Sequence, residues 1–146
     1  MVALGSDHGG YRLKEEVKKH LDQRGIAYKD FGTHSEESCD YPLIAQAPCQ
    51  AVVEGECRLA LLFCGTGIGI SIAANKTRGI RAAVCSDTFS AKMSRAHNNA
   101  NVLCMGGRVV GTGLAIELVD AFLDTEFEGE RHARRVGQLA DLDQKR

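Results

Sequence analysis

Short apolar, β-branched runs alternate along the chain with longer stretches in which apolar residues recur every three or four positions, the pattern of βαβ units and a parallel sheet. Five runs are predicted strands: Val2 to Ser6, Ala27 to Phe31, Leu59 to Cys64, Ile80 to Cys85 and Asn101 to Met105. Between them, Leu13, Val17 and Leu21 repeat at helical spacing, and Ile44, Ala47, Ala51 and Val52 mark the expected buried face of a second helix. Thr88 to Ala96 reads as helix, and Thr112 is the expected N-cap of a late helix carrying Leu114, Leu118 and Phe122. Beyond Phe127 the chain turns polar, and a final helix is expected there, packed loosely on its own molecule or firmly on another. No repeat, low-complexity tract or Pro-rich linker divides the chain, so 1–146 reads as one α/β domain with a helical tail over about 128–146.

Composition narrows the function. Eighteen Lys and Arg against nineteen Asp and Glu give a net charge of −1, so there is no basic excess for nucleic acid and any anion site must be local. The longest apolar run, Leu59 to Cys64, is six residues, far below the ~20 of a spanning helix. The N-terminus MVALGSDHGG has neither a basic region nor a long apolar stretch and reads as a first strand, which points to a cytoplasmic protein. Of the six cysteines, Cys64, Cys85 and Cys104 end or interrupt apolar segments, and no C-x-x-C pair exists; reduced thiols are expected.

Ligands of such sheets bind outside the carboxyl ends of the strands. The loop after each predicted strand is rich in polar chemistry: Asp7 to Gly10 after the first, Cys39 to Pro42 after the second, and Cys64 to Gly69 after the third. Ser86-Asp87 comes after the fourth and Gly106 to Arg108 after the fifth. The strongest local signal is FCGTGIGISIAANK, Phe63 to Lys76, in which Gly65, Gly67 and Gly69 free the backbone to turn N–H groups inward before a helix. Such a loop cradles an oxyanion or a phosphate. A dinucleotide fingerprint would need a glycine at position 70, which is Ile, although Asp87 lies at a suitable distance. A cysteine phosphatase would need Arg at the same position, and Lys76 is too far from the glycines for a P-loop. The remaining reading makes Cys64 a reactive thiolate, favoured by a helix N-terminus, that abstracts a proton beside a carbonyl while the loop amides hold the enediolate charge. The plain alternative is a Cys that merely ends a strand.

Asp7-His8-Gly9-Gly10, Asp40-Tyr41-Pro42, the segment Cys64 to Lys76, HNNANVL from His97 to Leu103, GRVVG from Gly107 to Gly111, and EGERHARR from Glu128 to Arg135 together resemble the type B ribose-5-phosphate isomerase family. These blocks occur in order over nearly the whole chain. Related family members act on allose or galactose 6-phosphates. The resemblance implies a three-layer α/β/α Rossmann-like fold, a cofactor-free aldose–ketose isomerase, and a homodimer with a shared active site, alone or paired into a dimer of dimers. It implies Cys64 as the base between C1 and C2, with Thr66 and the amides of Gly65, Gly67, Ile68 and Gly69 holding the enediolate. It implies His97 as the ring-opening group, Asp7 and Asn98 on sugar hydroxyls or ring oxygen, Tyr41 lining the site, and His8, Arg108, Arg131 and Arg135 on the phosphate. A second branch of the family replaces the cysteine and carries Glu at the position of Ile70; this chain follows the cysteine branch.

Spacing alone supports part of this. Arg131 and Arg135 are four apart and share a helical face, where they could grip a phosphate or simply form a solvated basic surface. Asp7-His8 could equally cap a helix, Tyr41 could pack a turn, and His20 and His34 read as surface residues. His97 follows a helix and precedes a strand, so it belongs at the amino edge of the sheet, ~17–20 Å from Cys64 across a five- or six-residue strand. It is therefore either structural or serves a neighbouring subunit, and a two-fold dimer that brings His97 and Asn98 over the partner's Cys64 rim is expected. No His, Asp and Cys set shows metal-ligand spacing, so no metal is expected. The competing class is a non-catalytic phosphate- or nucleotide-binding module built on the same loop.

Overall fold

In the computed structural model, which describes residues 1–146, five parallel strands form one sheet: β1 (Val2–Ser6), β2 (Tyr28–Asp30), β3 (Leu59–Cys64), β4 (Ala82–Val84) and β5 (Val102–Gly106). Their order is β2-β1-β3-β5-β4. The helices are α1 (Tyr11–Arg24), α2 (Tyr41–Ile44), α3 (Gln46–Val53), α4 (Ile68–Ala74), α5 (Thr88–Ala96), α6 (Thr112–Asp124) and α7 (Arg131–Gln144). The order sorts them: connections that step one way across the sheet put α1 and α5 on one face, joined by α6, and those that step the other way put α2, α3 and α4 on the opposite face. This is the expected three-layer α/β/α arrangement.

Strand β3 is central and buried along its whole length, which is why its sequence is apolar without alternation. Its residues still divide by parity. Leu59, Leu61 and Phe63 join Leu13, Val17, Leu21, Leu118 and Phe122 in one core. Ala60, Leu62 and Cys64 join Ala45, Cys49, Ala51, Ile70 and Ala74 in the other. Cys64 therefore faces the α2–α3–α4 layer.

Several local expectations are corrected. The edge strands β2 and β4 are three residues each, shorter than Ala27 to Phe31 and Ile80 to Cys85, because each pairs on one side only. The segment after Tyr41 is two short helices and not one; the break near Ala45 rotates the inner face, so Ala45, Pro48, Cys49 and Ala51 are buried while Ala47 is exposed. The N-cap of α6 is Gly111, one residue before Thr112, with no side-chain cap. His20 is not a bland surface residue: its Nε2 lies 2.8 Å from Asp120 Oδ1, tying α1 to α6.

At the carboxyl end of β2, the fully buried Lys14 ammonium donates to Asp30 Oδ1 at 2.7 Å and to the Thr33 carbonyl, while Lys18 donates to Asp30 Oδ2 at 3.0 Å. Burial alone would raise the Asp30 carboxyl, but Lys14, the Gly32 N–H and Lys18 outweigh it and hold it below the ordinary value. A depressed carboxyl stabilises the fold above its unfolded value and loses that contribution as pH falls toward the folded one. Urea denaturation should therefore show stability declining below about pH 4, with a flatter acid limb in Asp30→Asn. Lys14→Met should cost about 3 kcal/mol at neutral pH, because it strips a buried carboxylate of its main partner.

Candidate active site

From β1 the chain steps one way across the sheet and from β3 the other, so the crevice at their carboxyl ends is a topological switch point. The loops after β1, β3 and β5 are stitched together there by backbone hydrogen bonds. Asp7 N–H donates to the Phe63 carbonyl at 3.1 Å, Gly107 N–H to the Cys64 carbonyl at 2.8 Å, and Arg108 N–H to the Gly65 carbonyl at 3.0 Å. One rim thus collects Asp7, His8, Cys64, the glycine loop and Arg108. Tyr41 and Arg108 lie against the loop: a Cβ on Gly69 would stand 2.7 Å from Tyr41 Cζ, and one on Gly65 would stand 3.1 Å from Arg108 Nη1.

Cys64 Sγ accepts the Gly67 N–H at 3.0 Å, and the residue is 4% exposed, so the sulfur forms the floor of the loop. A charged acceptor makes this contact more favourably than a neutral one. No other cysteine receives a backbone N–H on sulfur. All six are free thiols; burial pushes Cys49 and Cys85 up to about 11 and raises Cys104 well above the ordinary thiol value, which keeps these three protonated and inert. Gly67 reaches over the sulfur with φ +80°, a left-handed conformation, and a Cβ there would sit 2.8 Å from the Met105 carbonyl carbon.

The other rim residues are partly committed. Asp7 Oδ1 accepts the N–H groups of Gly9 and Gly10 at 2.9 and 3.1 Å, so one oxygen of this carboxylate does serve the turn into α1. His8 Nδ1 accepts the Cys39 N–H at 3.2 Å. Neutral His8 consequently carries its proton on Nε2, where it is a donor. Thr66 Oγ1 accepts the Ile68 N–H at 3.2 Å. Asp87, at the dinucleotide-like distance, caps α5 through Ser90 N–H at 2.7 Å and is not poised for a ribose.

His97, Asn98, Arg131 and Arg135 lie elsewhere. His97 is the C-cap of α5 and precedes β5, so the length of β5, ~13 Å by strand rise, separates its edge from that of Cys64. There its ring stacks on His132, centroids 4.1 Å apart and planes 10° apart, with Glu128 Oε1 3.8 and 3.7 Å from the two Nε2 atoms. Burial, then repulsion from His97 and Arg131, holds His132 below the ordinary imidazole value. Sequence reasoning gave His132 and Glu128 no role and saw no metal-ligand set, yet the three ligand atoms fall within 4.8 Å of one another. Two nearly parallel ring planes do not converge on a single ion, so as arranged the trio is a stacked pair with a bridging acid and not a coordination site. Arg131 and Arg135 are exposed on one face of α7, as their spacing predicts. The tail packs on its own chain at both ends: at His97, and through Gly79 N–H to Asp143 Oδ2 at 3.0 Å. A cavity of about 580 Å³ between α7 and the amino edge includes Asn98 but does not reach Cys64.

The family model that matches the chain over residues 2–139 is described as ribose/galactose isomerase. Ribose-5-phosphate isomerase B of Escherichia coli strain K12 is 50% identical over 145 residues, covering 99% of this chain and 97% of that one. The structure of Clostridium thermocellum ribose-5-phosphate isomerase B superposes with a TM-score of 0.97 at 53% identity, over 99% and 97% of the two chains. The Mycoplasma genitalium ribose-5-phosphate isomerase B, solved with bound ribulose 5-phosphate, gives 0.94 at 35% identity, over 99% and 97%. The chain belongs to the ribose/galactose isomerase family. Within it, the full-length relatives just described are ribose-5-phosphate isomerases of type B, the group its motifs resemble.

Gly67→Ala should lower both turnover and melting temperature, because the added methyl must push the loop off β5 and withdraw the amide from Cys64. Activity assays and thermal denaturation of the same preparation check this.

Proposed function

We propose that this chain interconverts ribose 5-phosphate and ribulose 5-phosphate through a cis-enediolate, with Cys64 as the base and no cofactor. The observation that carries the proposal is the Cys64 sulfur lying under the Gly67 N–H at a switch point where Asp7, His8, Tyr41 and Arg108 gather. In the aldehyde form of the sugar, the thiolate takes the C2 proton and the amides of Gly65 to Gly69, with Thr66, hold the negative charge that appears on O1. The proton returns to C1, and a hydroxyl proton passes from O2 to O1, leaving the ketose. His8 and Arg108 hold the phosphate with Arg131 and Arg135, and the site works in the cytoplasm.

Two features support a homodimer with shared sites. His97 and Asn98, the proposed ring-opening pair, stand on the opposite edge from Cys64 of the same chain. Leu43 on α2, Ile68 and Ile72 on one face of α4, Val84 at the end of β4, Phe89 in the first turn of α5 and Val109 after β5 are exposed apolar side chains. Such a patch calls for cover, and a two-fold partner supplies it while delivering its own His97, Asn98 and tail arginines. In this arrangement the tail of about 128–146 also meets the partner.

The direct test is conversion of ribose 5-phosphate in the presence of a chelator, beside allose 6-phosphate and galactose 6-phosphate. Faster turnover of a six-carbon sugar would reassign the substrate, and binding without any product would leave only a phosphate-binding module. Cys64→Ala should lose most turnover with little change in substrate affinity; full activity would remove the sulfur from the mechanism. Mixing Cys64→Ala with His97→Asn subunits should restore activity toward about a quarter of the parent, since half the dimers are mixed and each has one intact site. No restoration would place both residues in one chain's site.

A further inference from the structure

The turn that carries His97 and Asn98 is held by two arginines that belong to neither the rim nor the tail. Arg95, in the last turn of α5 and 6% exposed, donates from Nη1 to the Ala100 carbonyl at 2.6 Å and to Asn99 Oδ1 at 3.0 Å. Its Nε reaches the Thr125 carbonyl at 3.4 Å, beyond the end of α6. Arg81 donates from Nε to the Asn99 carbonyl at 2.8 Å. Asn99 has φ +47°, the left-handed region that asparagine enters more readily than most residues other than glycine.

Burying a guanidinium is costly, and Arg95 offsets that cost with three neutral acceptors and no carboxylate partner among them. What the fork does is join two separate segments. One is the turn of His97 to Ala100; the other is the stretch after α6, where Glu128 N–H donates to the Ala96 carbonyl at 3.0 Å and leads to His132 on the His97 ring. A single planar group with donors in several directions can span both, and a lysine ammonium on a flexible stem cannot hold the same geometry.

We propose that Arg95 is a positioning residue for ring opening: it fixes the turn so that His97 and Asn98 keep one orientation, with Arg81 bracing the turn through the Asn99 carbonyl. The inference rests on the reading of His97 as the ring-opening group. Misplacing such a group by an ångström costs up to about 100-fold in rate.

The test separates ring opening from proton transfer. Conversion of ribose 5-phosphate, which is cyclic in solution, needs both steps. Exchange of a C1 proton of ribulose 5-phosphate into deuterated water needs only the enediolate, because a 2-ketose with a phosphate on O5 cannot close a furanose ring. Arg95→Lys should lower kcat for ribose 5-phosphate by about 10- to 100-fold, leave KM within about twofold, and leave the exchange rate close to that of the parent. Asn99→Gly, which keeps the left-handed backbone but removes the Oδ1 acceptor, should shift the same ratio in the same direction by less, and it decides the matter if Arg95→Lys does not fold. Equal losses in conversion and exchange, or no loss in either variant, would overturn the proposal. His97→Asn is the control: if it too lowers both rates equally, the ring-opening reading itself falls, whereas a selective loss in His97→Asn alone defeats only the role of Arg95.

Discussion

The hydrogen bond from Asp7 N–H to the Phe63 carbonyl closes the last pair of the β1–β3 ladder, Ser6 with Phe63, and the site depends on that bond. It brings the loops after two parallel strands to the same height, and the Gly107 and Arg108 amides add the loop after β5. Three loops that would otherwise be separate surface features become one surface. They meet backbone to backbone, and the Gly67 amide within the glycine loop points at the Cys64 sulfur. The richest glycine segment follows the central strand, whose loop is stitched to the loops after both of its neighbours, β1 and β5.

In the proposed dimer, chemistry is divided between two edges of one sheet. The rim holds a sulfur, an amide cradle and fixed hydrogen-bond donors on rigid loops. The opposite edge holds an imidazole stack whose orientation comes from the end of α5, the turn before β5 and the segment leading into α7. Separating the two lets each be shaped by its own core, at the expense of requiring a second molecule to unite them in the proposed dimer. The partition also accounts for α7, a polar helix that keeps only His132 buried and leaves Leu139 and Leu142 exposed.

Much of this was legible in the sequence, for identifiable reasons. Strands β1 and β3 match their expected bounds because they are interior, and in β3 burial on both faces writes itself as an unbroken apolar run; α1 was legible from Leu13, Val17 and Leu21 at helical spacing. The edge strands were overestimated because pairing on one side, not composition, decides where they end. The rim was legible since every member sits just after a strand. His132 was not, because its partner His97 is 35 positions away and stacking leaves no periodic signal. The only local hint was Glu128 four residues before it, on what proved to be the approach to α7. Lys14 and Arg95 were missed for a similar reason: a charged residue on a helix reads as solvent-facing, and only the fold reveals that each is buried against acceptors far along the chain.

The parity of β3 sets a limit on how this protein can change over time. With Phe63 turned into one core and Cys64 into the other, insertion or deletion of a single residue anywhere in Leu59 to Cys64 would exchange them, seating the phenyl ring under the loop and the sulfur among leucines. Descendants of this chain can therefore lengthen the segment between Ser35 and Asp40, which is largely exposed, while the span of β3 is frozen in length even where its residue types drift.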